Sequence, residues 1–236
     1  MIVTTSWDDG HVLDLRVAEL LRTYGLAGTF YVAPQNRELA APKRMTGVML
    51  NEIAQDFEIG SHTWTHPVLT EIPVAEANAE LVDSRHQISD LVQQDVTSFC
   101  YPRGAATAQL AQLVQAAGYK YARTTQTLAW GPILDNAWLA PTTLEAARPG
   151  LHHWRAWSMG AIACRPNLWA GHAWPTKAIA LFEKARAADG IFHIWGHSWV
   201  TDARSQWGPL ETVFQHVAAT PGVTHMTNGQ LAEYST

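Results

Sequence analysis

The sequence predicts an α/β fold in which helices cover a mostly parallel sheet. Apolar, β-rich segments alternate with amphipathic segments from one end of the chain to the other, which is the pattern of repeated strand and helix units. Of the 236 residues, 47% are apolar and 16% are charged, so the chain can bury a substantial core. Because no repeat or low-complexity run divides it, we expect residues 1–236 to form one domain.

The first half of the chain alternates strands and helices in regular order. Leu13, Val17 and Tyr24 share one face of the first helix, and Gly25 is well placed to end it. Leu81 and Ile88 have the same helical spacing in a longer segment. In order, the predicted elements are a strand at 2–7, a helix at 12–24, a strand at 28–33, a short helix near 50–56, a strand at 57–60 and a helix at 74–94.

The second half continues this alternation around an irregular stretch. Pro102 stops one strand, Thr107 is a helix N-cap, and Gly118 closes that helix. We interpret residues 126–175, which are rich in Pro, Trp and His, as loops and short elements forming one wall of a cleft. Predicted strands lie at 96–101, 119–124, 191–196 and around 223–226, and predicted helices at 107–118, 177–188 and 209–219.

Charge and hydropathy exclude several classes of partner. The formal charge is −5 and no Lys or Arg cluster is present, which argues against a nucleic-acid partner. No run approaches ~18 apolar residues, so we expect no membrane span. The first residues lack a basic region followed by an apolar core; if Met1 is the native start, we therefore expect no signal peptide and a cytoplasmic protein. The sequence carries no signal for the oligomeric state.

Two short motifs carry the strongest chemical signal. Asp8 and Asp9 are adjacent carboxylates, which repel one another unless a cation or a proton relieves them. His62 and His66, four residues apart, are suited to supply two imidazole ligands. Either motif alone is more often structural, a turn or a pair of ordinary histidines, but together they have the composition of a hydrolytic metal site. Both motifs follow predicted strands, whose carboxyl ends meet on one face of such folds.

The motifs occur in the order of a known family. Residues 5–10, TSWDDG, resemble the Thr-Phe-Asp-Asp-Gly motif of the polysaccharide deacetylases, the NodB-homology or carbohydrate esterase 4 family. Residues 61–67 are similar to its His-(Ser/Thr)-x-x-His motif, residues 99–104 resemble Arg-x-Pro-x-Gly, and residues 192–199 stand where Leu-x-His falls. The resemblance implies a distorted (β/α)7 barrel of mostly parallel strands, with its active site at their carboxyl ends.

The resemblance also implies a role for each residue of the first two motifs. Asp8 would be the general base that takes a proton from water activated by the metal. Asp9, His62 and His66 would bind the metal, which in this family is usually zinc. A ligand set of two histidines and one aspartate suits Zn²⁺, although Co²⁺ or Fe²⁺ would also fit.

A histidine of the last motif would be the general acid that protonates the departing amine. Ile191-Phe192-His193 fits the motif literally, whereas Trp195-Gly196-His197 fits it with Trp in the apolar position. We prefer His197 because it comes at the strand's end, beside a glycine that allows close approach. Asp135 faintly resembles a fourth family motif that tunes this histidine.

The third motif departs from the family. Cys100 replaces the arginine that orients the catalytic aspartate, and Arg123, at the end of the next predicted strand, could supply the missing guanidinium. A surface arginine is the alternative at that position. We expect Tyr101, Arg103 and Trp195 to contact the substrate, with a backbone N–H near residues 101–104 stabilising the oxyanion.

The resemblance implies a metal-dependent hydrolase that removes an acyl group, in the first place N-acetyl, from an N-acetylated sugar or an oligo- or polysaccharide. Eleven tryptophans favour a carbohydrate, since aromatic faces suit the C–H faces of sugar rings. Two alternatives stay open. The expected lack of a signal peptide favours a hydrolase of linear or cyclic non-sugar amides, as in allantoinase-like relatives. Cys100 favours a carbohydrate-binding protein that has lost turnover.

Overall fold

The computed structural model describes residues 1–131, 134–146 and 174–234. Within these ranges one sheet of eight strands is formed, and its strands pair in parallel. The sheet runs β5-β4-β3-β2-β1-β7-β6, with β8 beside the first half of β1. The strands are β1 (Ile2–Trp7), β2 (Thr29–Val32), β3 (Glu58–Ser61), β4 (Ser98–Cys100), β5 (Tyr121–Arg123), β6 (Leu144–Glu145), β7 (Ile191–Gly196) and β8 (Thr224–His225).

The segment leading into β6 connects the two edges of the sheet. Ala140 forms a parallel bridge with Arg123 of β5, and Leu144 pairs with Ile194 of β7. The sheet therefore curls round on itself as a barrel. The predicted α/β class and the distorted barrel of mostly parallel strands are confirmed.

Strand β1 lies at the centre of this sheet and is buried along its whole length. It pairs with β2, β7 and β8, so both of its edges are hydrogen-bonded. Trp7, at its carboxyl end, is fully buried and packs edge-on against Phe214, with ring centroids 6.3 Å apart. Burial on both faces explains why this strand is a run of β-branched, small and aromatic residues without strict alternation.

The helices begin and end at residues suited to those positions. Gly25 ends the first helix in the left-handed conformation (φ 64°), as predicted, and the Thr107 side chain accepts a hydrogen bond from the backbone N–H of Leu110. The helices are α1 (Asp14–Tyr24), α2 (Gly47–Ile53), α3 (Val74–Val92), α4 (Ala108–Ala116), α5 (Trp174–Ala187), α6 (Ser198–Ala203), α7 (Trp207–Ala218) and α8 (Asn228–Tyr234), with short 3-10 turns at Ala41–Lys43, Leu69–Glu71, Pro102–Gly104 and Ala137–Leu139.

Some elements differ from the sequence prediction. Helix α2 begins before the predicted position 50, because the Thr46 side chain accepts a hydrogen bond from the Met49 N–H and caps it there. Strand β6 and helices α6 and α8 were not predicted, since they are too short to show periodicity. Of the stretch interpreted as a cleft wall, residues 132–133 and 147–173 lie outside the described residues. None of the helices in the described ranges combines the length and the apolar character needed to cross a bilayer.

The strand ends bring the predicted site residues to one edge of the sheet. Asp8 and Asp9 directly follow β1, and His62 directly follows β3. Arg123 is the last residue of β5, and His197 directly follows β7. Because neighbouring strands are parallel, these residues share the carboxyl edge of the barrel.

Candidate active site

Asp9, His62 and His66 form a buried cluster with their ligand atoms facing one another. Asp9 Oδ1 is 3.8 Å from His62 Nε2 and 3.4 Å from His66 Nε2, and the two Nε2 atoms are 3.2 Å apart. Two ligand atoms on one tetrahedral zinc, at bond lengths of about 2.0–2.1 Å, are separated by roughly 3.3 Å. These three residues could therefore hold one ion with little movement.

The ring of His62 is oriented for this role. Its Nδ1 lies 2.7 Å from the carbonyl oxygen of Cys100. A carbonyl can only accept, so the proton is on Nδ1 and the lone pair of Nε2 points into the cluster. Burial, followed by the neighbouring His66, lowers the pKa of His62 to about 4. The ring is thus neutral near pH 7, which is the form that binds a metal.

The turn that carries His66 is held by a carboxylate from α3. Thr63 and His66 both adopt the left-handed conformation, with φ of 68° and 65°. The His66 N–H donates to Thr63 Oγ1 at 3.0 Å, and Glu80 accepts from the N–H groups of Trp64 (2.8 Å) and Thr65 (3.0 Å). Strained backbone of this kind persists where its surroundings enforce it. Glu80 was missed by sequence reasoning, because nothing in a helical glutamate signals a contact with a distant turn.

A second carboxylate faces the other side of His66. Glu38 Oε1 lies 3.5 Å from His66 Nδ1, a buried nitrogen without a hydrogen-bond partner among the described residues. The two oxygens of Glu38 accept from Nη2 of Arg103 at 2.8 and 2.7 Å. The structure thus places Arg103, predicted to contact substrate, as an exposed cation already paired with Glu38.

Asp8 is paired with Arg123 inside the barrel. Nη2 of Arg123 donates to Asp8 Oδ1, and both side chains are buried. Cys100 and Arg123 are register partners on neighbouring strands, so their side chains lie on the same face, and Cys100 Sγ is 3.7 Å from Asp8 Oδ2. The guanidinium therefore reaches the aspartate from β5, one strand away from the position that Cys100 occupies.

The charge state of Asp8 follows from this pairing. Burial alone would raise its pKa, but the positive charge of Arg123, which is the largest of the opposing influences, brings the pKa below its usual value. Burial likewise opposes the charge on Arg123, yet Asp8 raises the pKa of this guanidinium. Asp8 is consequently an ionised carboxylate at neutral pH, held in one orientation.

Aromatic side chains surround the guanidinium of Arg123. Its Cζ lies 4.7 Å from the ring centroid of Trp195 and 5.4 Å from that of Tyr31. Trp195 is 5% exposed, and Tyr101 is fully buried with its hydroxyl donating to the Trp138 carbonyl at 2.8 Å. Neither Tyr101 nor Trp195, both predicted to contact substrate, presents an exposed face. Trp195 packs against Arg123, and Tyr101 packs against Phe99.

His197 lies between two carboxylates at the open side of the cluster. Its Nε2 is 3.9 Å from Asp9 Oδ2, and its Nδ1 is 3.9 Å from Glu145 Oε1. About a fifth (21%) of its side chain is exposed. Asp135, which faintly resembled the tuning acid of the family, is exposed to solvent, and the acid opposite His197 is Glu145. Glu145 was missed because β6 is only two residues long.

His193, the alternative acid, is situated differently. It is 2% exposed, and its Nε2 shares a hydrogen bond of 2.9 Å with Ser6 Oγ. Burial, reinforced by the charge of Arg123, lowers its pKa well below the usual value. A neutral, enclosed imidazole is a poor proton donor at neutral pH, whereas His197 faces the opening.

The third-motif turn offers one free amide. Arg103 and Gly104 are both left-handed (φ 60° and 67°), and a Cβ on Gly104 would come within 2.0 Å of Thr125 Oγ1. The N–H of Tyr101 donates to the Arg123 carbonyl at 3.1 Å, and that of Gly104 donates to the Tyr101 carbonyl at 2.8 Å. Between them, the N–H of Arg103 has no acceptor in the part of the chain that the structure describes.

Trp199 is a further site residue that sequence reasoning missed. It lies in the first turn of α6, directly after β7, and its Nε1–H donates to Asp9 Oδ2 at 2.9 Å. Its ring centroid is 5.5 Å from that of His197. The sequence showed only that a tryptophan follows the last motif, and α6 is too short for its face to be predicted.

The family comparison agrees with these motifs. A family model described as polysaccharide deacetylase matches residues 1–122, slightly more than half of the chain. That match includes Asp8 and the cluster residues Asp9, His62 and His66, and it ends just before Arg123. A comparison with curated proteins found no significant match.

Solved structures with similar folds carry related names. A Mycobacterium smegmatis protein assigned to the polysaccharide deacetylases superposes with a TM-score of 0.69 at 16% identity, covering 99% of this chain and 89% of that one. A family 4 acetyl xylan esterase from Clostridium thermocellum, in complex with a cobalt ion, gives 0.63 at 17% identity, covering 99% and 91%. A Streptococcus pyogenes deacetylase gives 0.53 at 20% identity, covering 58% of this chain and 62% of that one. At these identities the similarity concerns the fold.

Proposed function

The chain belongs to the polysaccharide deacetylase family, and on that premise we propose that it is a metal-dependent hydrolase that removes acetyl groups from an acetylated sugar or sugar polymer. The observation that carries the proposal is the convergence of Asp9, His62 and His66 within 3.8 Å of one another, beside Asp8 held by Arg123. The metal ligands would be Asp9 Oδ1 and the Nε2 atoms of His62 and His66. Zn²⁺ suits this set, and Co²⁺ or Fe²⁺ would also fit.

A divalent ion in this position would supply Lewis acidity, which makes water easier to deprotonate and an acyl carbonyl easier to attack. Asp8 is the general base of the proposal. One carboxylate oxygen of Asp8 lies within 4.8 Å of one ring nitrogen of His62, so the carboxylate is close to the cluster. Arg123 holds Asp8 ionised and orients it, and Asp8 can therefore accept a proton from water in the site.

The reaction is completed by two further groups of the chain. The water oxygen bonds to the acyl carbon, and the developing negative charge on the carbonyl oxygen is stabilised by the amide N–H of Arg103. His197 then donates a proton to the sugar nitrogen as the C–N bond breaks, which releases acetate and an amine. His197 suits this role because it is partly exposed and faces both Asp9 and Glu145.

Arg123 weakens the case for a carbohydrate-binding protein without turnover. That alternative rested on Cys100 in the place of the family's arginine, and the guanidinium at Asp8 is supplied by Arg123 instead. A non-sugar amide remains a competitor of the N-acetyl sugar. The name of the Clostridium relative adds an O-acetyl ester of a polysaccharide to the substrates that should be tried.

The test is acetate release by protein that has been stripped with a chelator and reloaded with Zn²⁺ or Co²⁺. The substrates are N-acetylated chitooligosaccharides, acetylated xylan and allantoin. Metal-dependent acetate release from either carbohydrate, lost in Asp8→Asn, supports the proposal. Ring opening of allantoin without acetate release would identify the amide alternative. Unchanged turnover after complete metal removal would contradict the metal-dependent mechanism.

A further inference from the structure

Trp199 joins the proposed metal cluster to the protein surface. Its indole N–H donates to Asp9 Oδ2 at 2.9 Å, while Asp9 Oδ1 faces His62 and His66. The two oxygens of this carboxylate therefore have separate partners. An outer hydrogen bond of this kind fixes the orientation of a ligand, and its loss typically weakens metal binding by about 10–100-fold.

The ring of Trp199 is also accessible. The side chain is 39% exposed, and the indole lies beside His197, with 5.5 Å between ring centroids and an angle of 58° between the ring planes. Among the large apolar side chains that are exposed in the described ranges, Trp199 is the one that hydrogen-bonds to Asp9; the others are Val48, Val74, Leu91 and Tyr234. An indole anchored by its N–H and left open on its ring is typical of a side chain with one polar and one apolar partner.

We propose that Trp199 is a bifunctional residue: its N–H positions Asp9 for metal binding, and its exposed ring packs against the sugar ring that carries the acetyl group. The proposal rests on the proposed function, and it deepens that function by naming a residue that selects carbohydrate over small acetyl compounds. The sugar would lie next to His197, which is where the leaving amine must be for this histidine to protonate it.

Two substitutions separate the two roles. Trp199→Phe removes the N–H and keeps an aromatic face. Trp199→Gln keeps an N–H donor that can reach a carboxylate and removes the face. Trp130→Phe is the matched control, because Trp130 packs over Lys184 near the amino end of β7, at the opposite edge of the barrel from the site.

The first measurement is the zinc dissociation constant, by competition with a chromogenic chelator, on each purified protein. It does not depend on activity. We expect Trp199→Phe to weaken zinc binding by about tenfold or more, and we expect Trp199→Gln and Trp130→Phe to bind zinc as the wild type does. Zinc binding by Trp199→Phe that equals the wild type would overturn the positioning role.

The second measurement is kcat/KM for an N-acetylated chitooligosaccharide and for 4-nitrophenyl acetate, with saturating zinc. Trp199→Gln should lower kcat/KM for the oligosaccharide by about tenfold relative to kcat/KM for the small ester, the loss expected for one aromatic contact. Trp199→Phe should leave the ratio between the two substrates unchanged. An equal effect of Trp199→Gln on both substrates would overturn the sugar contact.

Thermal unfolding of each variant identifies a folding defect, and Trp199→Tyr is a second variant that has a ring without the indole N–H. If the wild type binds zinc and releases acetate but Trp199→Phe and Trp199→Gln behave like Trp130→Phe, only the role of Trp199 fails. If the wild type takes up no zinc, the proposed function fails with it.

Discussion

Asp8 and Asp9 are adjacent in sequence and both buried, but their surroundings differ in kind. The Asp8 region, formed by Asp8, Arg123 and Cys100, contains its own cation, and the carboxylate is neutralised inside the protein. The Asp9 region is formed by Asp9 and its histidine neighbours. Among the described residues, the ion-pair partners of the Asp9 carboxylate are imidazoles alone. A buried charge needs a partner, so the first region is complete as folded and the second is suited to receive an ion from solution.

The first prediction separates the two carboxylates by activity. Asp8→Asn should lower kcat by about 10²–10⁴-fold, the usual contribution of a general base, and it should leave the zinc content near that of the wild type. His66→Ala should lower both zinc content and kcat. Steady-state kinetics and metal analysis of the same preparations check this. Equal zinc loss in the two variants would contradict the division of roles between Asp8 and Asp9.

The second prediction removes the internal cation. Arg123→Met should reduce the free energy of unfolding by about 3–5 kcal/mol, because it leaves Asp8 buried without its partner. Urea denaturation of stripped protein measures this free energy.

The double variant Asp8→Asn with Arg123→Met is the control for that measurement. It should regain part of the lost stability, since no uncompensated carboxylate remains. Additive losses in the double variant would show that the two side chains do not interact, contrary to the contact between Nη2 and Oδ1.

The third prediction removes the external cation. At a free zinc concentration of about 100 times Kd, binding to the folded state contributes about 2.7 kcal/mol, so a chelator should lower the unfolding temperature of the wild type. The response should persist in Asp8→Asn and disappear in Asp9→Ala, which lacks one of the three ligands. A chelator response in Asp9→Ala as large as in the wild type would place the ion elsewhere.

The fourth prediction concerns the pH dependence of stability that arises from His193, whose pKa is affected by Arg123. Burial, with the charge of Arg123, lowers the pKa of His193 in the folded protein. Below pH ~6.5 the unfolded chain binds a proton at this position that the folded chain does not, so His193 decreases stability as pH falls. The decrease approaches about 1.4 kcal/mol per pH unit.

Unfolding free energies of the wild type and of His193→Gln, measured by urea denaturation between pH 7.5 and 5.5, check this sign. Over this range the unfolding free energy of the wild type should fall more than that of the variant. The difference in slope should be at most that of one bound proton, about 1.4 kcal/mol per pH unit. Glutamine can still bond to Ser6 Oγ, which His193 contacts at 2.9 Å. Parallel curves would mean that His193 is protonated in the folded protein.

Local sequence patterns were sufficient for the framework of the barrel. Strands β1 and β7 lie at the predicted positions, and helix α1 ends at the predicted glycine. These elements are long or capped, so hydrophobic spacing and end signals define them. The convergence of Asp9, His62 and His66 could also be anticipated, because parallel strands bring their carboxyl ends together regardless of sequence separation.

Local sequence patterns could not predict the contacts that side chains make across the barrel. The sequence left Arg123 as either a partner of Asp8 or a surface residue, and the register between β4 and β5 places it at Asp8. Glu38 and Glu145 gave no signal at all, although each faces a histidine of the site. Which residues from separate elements meet depends on strand register and loop path, which emerge only when the whole chain packs.

The sequence by itself therefore determined the fold class, the family and the four side chains at the ends of β1 and β3. The tertiary structure decided which cation neutralises Asp8, which carboxylates face the histidines, and that Trp199 bonds to Asp9. The physical reason is the distance along the chain over which each signal acts. Periodicity and caps act within one element. A buried charge or polar atom is instead paired with whichever residue the folded barrel brings within hydrogen-bond distance.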